Sequence, residues 1–340
     1  MPTIALIRGD GTGPELIDAT LKVFKAVGTS VEIRECDAGF EWWQAHDGAT
    51  LIPDQSWKII EAADACLKGP TTTPVGPNTP RSVAVSIRQR MDLYANIRPV
   101  KTFEGTKRPL GDVELVCVRE ATEGLYSGLE HRLSNDVAIA FRKITREPSE
   151  KVTRRAFEEA KRRGWKRCFA ITKQNILKET DGLFIDAARS VQKDYPGIGL
   201  EEYFIDNFAQ QLIKNPQRFN ESIIFGTNLF MDIISEEVSA LVASIGCIYS
   251  ANFGDDYAMF EPAHGSAPVY KGQDKVNPTA TVLAGAWMLE YLGEKKHSEA
   301  IFKATREVIA GGKEVTYDLG GTARLSEMAD AIADRARKYL

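Results

Sequence analysis

The sequence predicts an α/β protein with two domains around one cleft, on three observations. The chain has 340 residues, and single hydrophobic cores rarely grow past about 250–300 residues, so two cores are expected. Short β-branched runs alternate with amphipathic helical segments almost from end to end, the pattern of layered α/β folds. The turn after the first strand, Gly9-Asp10-Gly11-Thr12-Gly13-Pro14, lacks the G-x-G-x-x-G spacing, and Pro14 removes an N–H that a phosphate would use. The Rossmann dinucleotide fingerprint is therefore absent here, and the turn by itself reads equally as a structural corner or a binding loop.

Taken in order, Thr3 to Ile7 reads as a buried strand. Pro14 opens a helix whose Ile17, Leu21 and Phe24 share one stripe, proline being tolerated in a first turn where its missing N–H costs least. Further strands are predicted at 30–35, 64–67, 113–118, 166–172, 200–205 and 222–225. Helices are predicted at 149–163, closed by Gly164, and at 278–292, closed by Gly293, glycine being favoured where a C-cap turns left-handed. Between Tyr126 and Arg146 the alternation breaks. β-Branched residues flank a turn-prone Ser-Asn-Asp, which predicts a protruding hairpin, either a surface excursion or an arm that clasps a second subunit.

Composition excludes several classes. A net charge of -4 argues against nucleic acid as a partner, since such binding needs an excess of basic residues on one face. The five cysteines are scattered, odd in number and without a C-x-x-C pair, so neither a disulfide framework nor a zinc site is expected and a reducing cytoplasm fits. No apolar run reaches the roughly 18 residues that cross a bilayer, and the early charge in MPTIALIRGD does not read as a signal peptide, so no membrane partner is expected.

The chemistry gathers in four places. The segment from Lys68 to Arg98 carries three threonines before Pro74 and a Pro/Gly-rich loop into a helix, a favourable setting for anions. Arg88, Arg98 and Arg119 stand at element ends, and guanidinium forks match carboxylates bidentately. Asp206, Asp232 and Glu236 offer hard oxygens of the kind Mg²⁺ or Mn²⁺ prefers, the last two sharing a helix face. Lys173 lies at a strand end, and FEPAHGSAPVYKGQDKVNPTAT suggests a rigid loop that brings backbone close to a ligand.

Together these blocks resemble the isocitrate/isopropylmalate dehydrogenase family, through RGDGTGPE at 8–15, KGPTTTPVG at 68–76, DLYANIRP at 92–99, TNLFMDI at 227–233 and MFEPAHGSAP at 259–268. The resemblance covers essentially the whole chain. It implies a two-domain α/β fold other than the classical Rossmann domain, with the cleft between a large domain of residues 1–99 plus 250–340, which carries a cofactor loop, and a small domain of 100–249 with the dimer interface and a clasp hairpin at about 127–146. It implies metal-dependent oxidative decarboxylation of D-isocitrate to 2-oxoglutarate, in a homodimer or dimer of dimers that shares its active sites.

Residue by residue, the resemblance makes Thr73, Ser82, Arg88, Arg98 and Arg119 substrate-binding and Lys173 and Tyr126 catalytic. The metal ligands are Asp206, Asp232 and Glu236, with Lys173 and Asp206 serving the site of the neighbouring subunit. Cofactor binding falls to Asn175, His264, Gly265, Ser266, Ala267, Tyr270, Asn277 and Tyr317. Surrounding cations are expected to depress the Tyr126 pKa toward the working range. Val269 replaces both the aspartate of NAD enzymes and the lysine of NADP enzymes, while Tyr270 and Tyr317 are kept, which implies a modest NADP preference with appreciable NAD activity.

Other positions depart from the isocitrate pattern. Ala84 and Ala121 stand for asparagines, Thr172 for histidine, Met231 for glycine and Glu236 for aspartate. Homoisocitrate therefore remains an alternative substrate, with 3-isopropylmalate and tartrate behind it. A regulatory subunit of a heteromeric isocitrate dehydrogenase is the alternative of another class.

Overall fold

The computed structural model describes every residue except 47, 49, 77, 78 and 109; Pro77 and Asn78, in the Pro/Gly-rich loop after Lys68, thus lie outside the described residues. One ten-stranded sheet runs through the molecule in the order Glu32–Cys36, Thr3–Ile7, Ala65–Lys68, Ala258–Pro262, Tyr249–Phe253, Ala95–Lys101, Glu114–Glu120, Ser222–Gly226, Arg167–Thr172, Gly199–Phe204. Both flanks are parallel, and the four strands from Ala258–Pro262 to Glu114–Glu120 are mutually antiparallel. The parallel strands Ala65–Lys68 and Ser222–Gly226 are buried along their whole length, as parallel strands covered on both faces must be.

The first strand falls where the sequence places it, and the other strands predicted on the flanks are found within two residues of the expected limits. Three central strands, Ala95–Lys101, Tyr249–Phe253 and Ala258–Pro262, are additional. Their apolar runs are interrupted by Asn96, Arg98, Asn252 and Glu261, which hides the strand pattern, yet these residues are only 0–6% exposed.

Helix Gly13–Val27 carries Pro14 in its first turn and buries Ile17 and Phe24 with Leu21 partly covered. Helix Arg146–Arg163 ends on Gly164 at φ 73°, whose N–H reaches back to the carbonyls of Ala160 and Lys161. Helix Thr279–Tyr291 buries all its residues from Thr279 to Leu289 and forms the centre of the largest apolar cluster. A second cluster draws only on residues between Val100 and Ile248, and a third only on residues between Ala5 and Leu93 plus Tyr257 and Met259, while the largest bridges the two halves of the sheet.

The protruding segment is a two-stranded antiparallel hairpin, Glu130–Arg132 against Ala138–Ala140. Leu129, Leu133, Val137, Ile139 and Phe141 are all exposed there.

The Gly9–Pro14 turn is a structural corner. A Cβ on Gly9 would lie 2.1 Å from the Pro70 carbonyl oxygen and one on Gly11 would lie 2.3 Å from that of Ser266. The N–H groups of Asp10, Thr12 and Gly13 go to Pro70, Ser266 and Asp10 carbonyls, and that of Gly11 to the Glu41 carboxylate. Asp10 in turn accepts the N–H groups of Phe40, Glu41 and Thr72. With four of its donors committed within the chain, the turn pins the loops after Lys68 and around Ser266 to the first helix.

Candidate active site

The three arginines converge on the antiparallel centre of the sheet. Arg98 and Arg119 project from adjacent strands and Arg88 from the last turn of helix Val83–Arg90, and the three are 6%, 3% and 7% exposed. Burial of this kind requires partners, because an unpaired interior charge is costly. Cross-strand register supplies them: Asn252 lies opposite Asn96, and Asn96 opposite Arg119.

Arg88 Nε donates to Asn252 Oδ1 at 2.7 Å and its Nη2 to Glu261 Oε1 at 3.0 Å. Asn96 Nδ2 donates to the same Asn252 oxygen at 2.9 Å, and Arg98 Nε donates to Asn96 Oδ1 at 3.2 Å. Lys68 Nζ closes the far side of Glu261 at 2.9 Å. Burial alone would raise the Glu261 carboxyl, but Lys68, Arg88 and the Asn252 amide hold it down at about 2. Lys68, Asn96, Asn252 and Glu261 were missed from sequence; the available signal was a polar residue inside an apolar run, as in YANIRP, SANF and FEP.

Helix Asn228–Ser239 lies beside this network and brings Asp232 and Glu236 to it. Arg119 pairs with Asp232 and Arg98 with Glu236. Arg119 also donates to Asn228 Oδ1 from Nε at 3.0 Å and from Nη2 at 2.7 Å. Tyr126 donates its hydroxyl to Asp232 Oδ2 at 2.6 Å, with the Arg119 guanidinium 4.8 Å from the ring centroid.

The expected depression of Tyr126 is not found: its pKa is raised. Burial acts first, the hydrogen bond to the Asp232 carboxylate adds to it, and Arg119 opposes both only in part. Arg119 itself is lowered to about 10 by burial and by Arg88.

Asp206 does not join Asp232 and Glu236. It starts helix Ile205–Lys214 with its side chain 67% exposed and pairs with Lys173 Nζ at 2.7 Å, a contact that lowers its pKa. Among the described residues no three metal-ligating side chains come together within the chain. Lys173 and Asp206 thus form a separate pair.

The remaining positions sort by burial. Ser82 sits half-buried at the N-cap of the Arg88 helix, and Thr73 and Asn175 are exposed. Ser266 is buried against Thr72, the two hydroxyls 2.6 Å apart, next to Ala267 at φ 40°. His264 faces the Gly265 carbonyl at 3.0 Å, and Gly265 is exposed with open space at its Cα. Asn277 is buried and donates to Asp318 at 2.9 Å.

Tyr270 and Tyr317 lie with ring centroids 6.2 Å apart, and Lys275 Nζ sits 5.1 Å and 4.9 Å from the two. Lys271 is instead engaged by Glu41 at 2.6 Å, and Val269 is exposed. Of the departures, Met231 fills core space and Thr172 donates to Glu202 at 2.6 Å, while Ala121 is buried and Ala84 is half-buried. A groove of about 890 Å³ lies apart from all of these, between Thr102, Phe103 and Glu114 on one side and helix Lys295–Gly311 on the other.

The family model for isocitrate/isopropylmalate dehydrogenase matches residues 3–332. The chain is 39% identical to the mitochondrial NAD isocitrate dehydrogenase subunit 2 of Saccharomyces cerevisiae, over 98% of this chain and 90% of that protein. It is 40% identical to the isocitrate/homoisocitrate dehydrogenase of Thermus thermophilus, over 97% of each. The crystal structure of isocitrate dehydrogenase from Methylococcus capsulatus superposes with a TM-score of 0.94 at 42% identity, covering 99% of this chain and 100% of that one. On a family match over residues 3–332 and near full-length likeness in sequence and fold, the protein belongs to the isocitrate/isopropylmalate dehydrogenase family, whose members are decarboxylating dehydrogenases.

Proposed function

We propose that the chain oxidises D-isocitrate to 2-oxoglutarate and CO₂ with reduction of a nicotinamide dinucleotide. The observation that carries this reading is the set of three buried arginines, two of them paired with Asp232 and Glu236, with Ser82 at the N-cap of the helix that bears Arg88. A tricarboxylate presents one anionic fork to each guanidinium, and Ser82 adds a donor where an alkyl substrate would need apolar surface.

Asp232 and Glu236 are hard oxygen donors with side chains 32% and 46% exposed, which suits Mg²⁺ or Mn²⁺. One chain contributes these two, and Asp206 of a second copy completes the set. When bound, the cation supplies Lewis acidity at the substrate hydroxyl and at the charge left by decarboxylation. The dinucleotide, held by Asn175, the loop from His264 to Tyr270, Asn277 and Tyr317, is the hydride acceptor.

This chain's own residues do the rest. Arg88, Arg98 and Arg119 orient the carboxylates and exchange their internal partners for those of the substrate. Lys173 takes the hydroxyl proton in the second subunit's site. Tyr126 returns a proton to carbon after CO₂ leaves, its hydroxyl standing as a donor to Asp232 Oδ2 at 2.6 Å.

We place residues 1–99 plus 250–340 in one domain and 100–249 in the other, consistent with the two apolar clusters confined to either part. The apolar hairpin serves as the dimer clasp, in a dimer or dimer of dimers. No described helix is long and apolar enough to cross a membrane, and five buried free cysteines suit a reducing compartment, which we take to be the cytoplasm.

Ala84 supports homoisocitrate as a second reading, since the small side chain leaves room for one more methylene and such a difference is worth only about 1–3 kcal/mol. Side-by-side kcat/KM on isocitrate, homoisocitrate, 3-isopropylmalate and tartrate, with the purified single chain and Mg²⁺ or Mn²⁺, tests the proposal. A preference of about tenfold, roughly 1.4 kcal/mol, for another acid overturns the substrate, and no turnover of any acid by the single chain favours a regulatory subunit.

A further inference from the structure

Arg142 lies two residues beyond the second hairpin strand and turns inward, its side chain 15% exposed against the fully buried Asp181. Its Nη1 is 2.6 Å from Asp181 Oδ1 and donates to Thr180 Oγ1 at 2.6 Å. Its Nη2 donates to Thr227 Oγ1 at 2.9 Å, and the guanidinium carbon stands 5.1 Å from the Phe230 ring centroid. Asp181 Oδ1 has no aligned hydrogen-bond donor apart from this ion-pair contact, and Oδ2 accepts the backbone N–H of Lys173.

One guanidinium therefore joins three elements: the base of the hairpin, the first turn of helix Thr180–Gln192, and Thr227, which precedes the helix bearing Asp232 and Glu236. A forked cation can hold partners in three directions at once, which a lysine ammonium on its flexible stem does less well. Asp181, fully buried, would be costly to leave without its Arg142 partner. Through its other oxygen that carboxylate fixes the backbone from which Lys173 extends. Displacement of the hairpin base thus reaches the lysine through a single buried ion pair.

We propose that Arg142 and Asp181 are positioning residues for Lys173, which set the lysine's place and couple it to the seating of the hairpin. The proposal rests on the reading of Lys173 as proton acceptor. A misplacement of about 1 Å at a reacting group costs up to about a hundredfold in rate, so the network acts on kcat. The clamp arginines contact neither residue, and the Arg142 bond to Thr227 reaches the Asp232 helix only at its N-cap, so KM is expected to move less than kcat.

The test uses the full chain as Arg142→Met with Asp181→Asn, a pair that removes both charges together and leaves no lone buried ion. With fold and oligomeric state checked by circular dichroism and sedimentation, kcat falls about ten- to a hundredfold while KM stays within about threefold. Adding both changes to Lys173→Met causes no further loss, because the network acts through that lysine. Arg142→Lys recovers part of the lost kcat.

A paired variant with kcat within about twofold of the parent, or a loss that adds in full to that of Lys173→Met, overturns the proposal. If the paired variant does not fold, Arg142→Lys takes its place, and parental kcat there overturns the proposal equally. Near-parental turnover of Lys173→Met alone refutes the role given to Lys173, a separate failure.

Discussion

The antiparallel centre of the sheet and the hairpin arm invert the usual rule of burial in opposite directions. In the centre, Asn96, Arg98, Arg119, Asn252 and Glu261 are at most 6% exposed, whereas on the arm Leu133 is 63% and Phe141 55% exposed. Buried polar groups are costly unless fully paired, and contiguous exposed apolar groups are uncommon unless something covers them. The centre meets the first condition within the chain, by reciprocal hydrogen bonds and ion pairs. The arm has no such internal answer, which is why it is assigned to a second copy.

The largest effects should separate chemistry from packing within this contrast. Lys173→Met and Tyr126→Phe each lower full turnover by about 10²–10⁴-fold with the fold unchanged, since each removes a proton-transfer group and leaves the apolar cores intact. Tyr126→Phe spares reduction of the 2-oxo-3-carboxy intermediate relative to the full reaction, because the phenol acts only after CO₂ leaves. Steady-state and intermediate-reduction kinetics read both, and near-normal full turnover in either variant reverses the assignment.

Glu261 probes stability where those residues probe rate. Glu261→Gln leaves Lys68 and Arg88 with one partner fewer in the interior and is expected to cost about 3–5 kcal/mol in urea unfolding near pH 7. The carboxyl is held at about 2, below its ordinary 4.5, so the folded state binds fewer protons than the unfolded one in that interval. Its contribution is complete above about 4.5 and is lost as pH falls toward about 2. The gap between parent and variant should be constant from pH 7 to 5 and narrow below that. A gap that is constant to pH 3 would show that Glu261 carries no such charge.

Sequence reading and structure part company at the same centre. The inner flanking parallel strands are legible because their two covered faces demand continuous apolar runs, as in Ile223, Ile224 and Phe225. The central strands are obscured by the residues that make the site, Asn96 and Arg98 in one, Asn252 and Glu261 in the others. The arginines and the Asp232–Glu236 face could be found from residue type and spacing. Their supporting partners could not, since Asn252 and Lys68 join the cluster only through sheet register and loop closure. Arg142 and Asp181, 39 positions apart, are likewise joined only by the fold.

A smaller effect sharpens the arm's side of the comparison. If Lys173 serves a second copy, mixing Lys173→Met subunits with Arg88→Ala subunits under exchange restores about a quarter of the sites. Half the subunits then pair with the other kind, and one of the two sites in each such dimer is intact. Activity that never rises above that of the separate variants, or an active monomer in sedimentation, removes the shared site and leaves the exposed hairpin residues without a function.

The smallest expected effect concerns the dinucleotide, where neither buried charge nor exposed apolar surface decides. Val269 withdraws the aspartate that would repel a 2′-phosphate and the lysine that would attract it. Lys275 partly restores the attraction, its ammonium lying 5.1 Å and 4.9 Å from the rings of Tyr270 and Tyr317. A phosphate there meets one cation and two phenols, and each ring also holds that cation in place when the phosphate is absent. Lys271 contributes little because Glu41 already engages it. The balance favours NADP by less than about tenfold, roughly 1.4 kcal/mol, with NAD still used. Lys275→Ala should erase that margin by raising KM for NADP while leaving KM for NAD within about twofold. Saturation kinetics with both cofactors on parent and variant decide it, and a parental preference for NAD above about tenfold would mean that the missing lysine outweighs the missing aspartate.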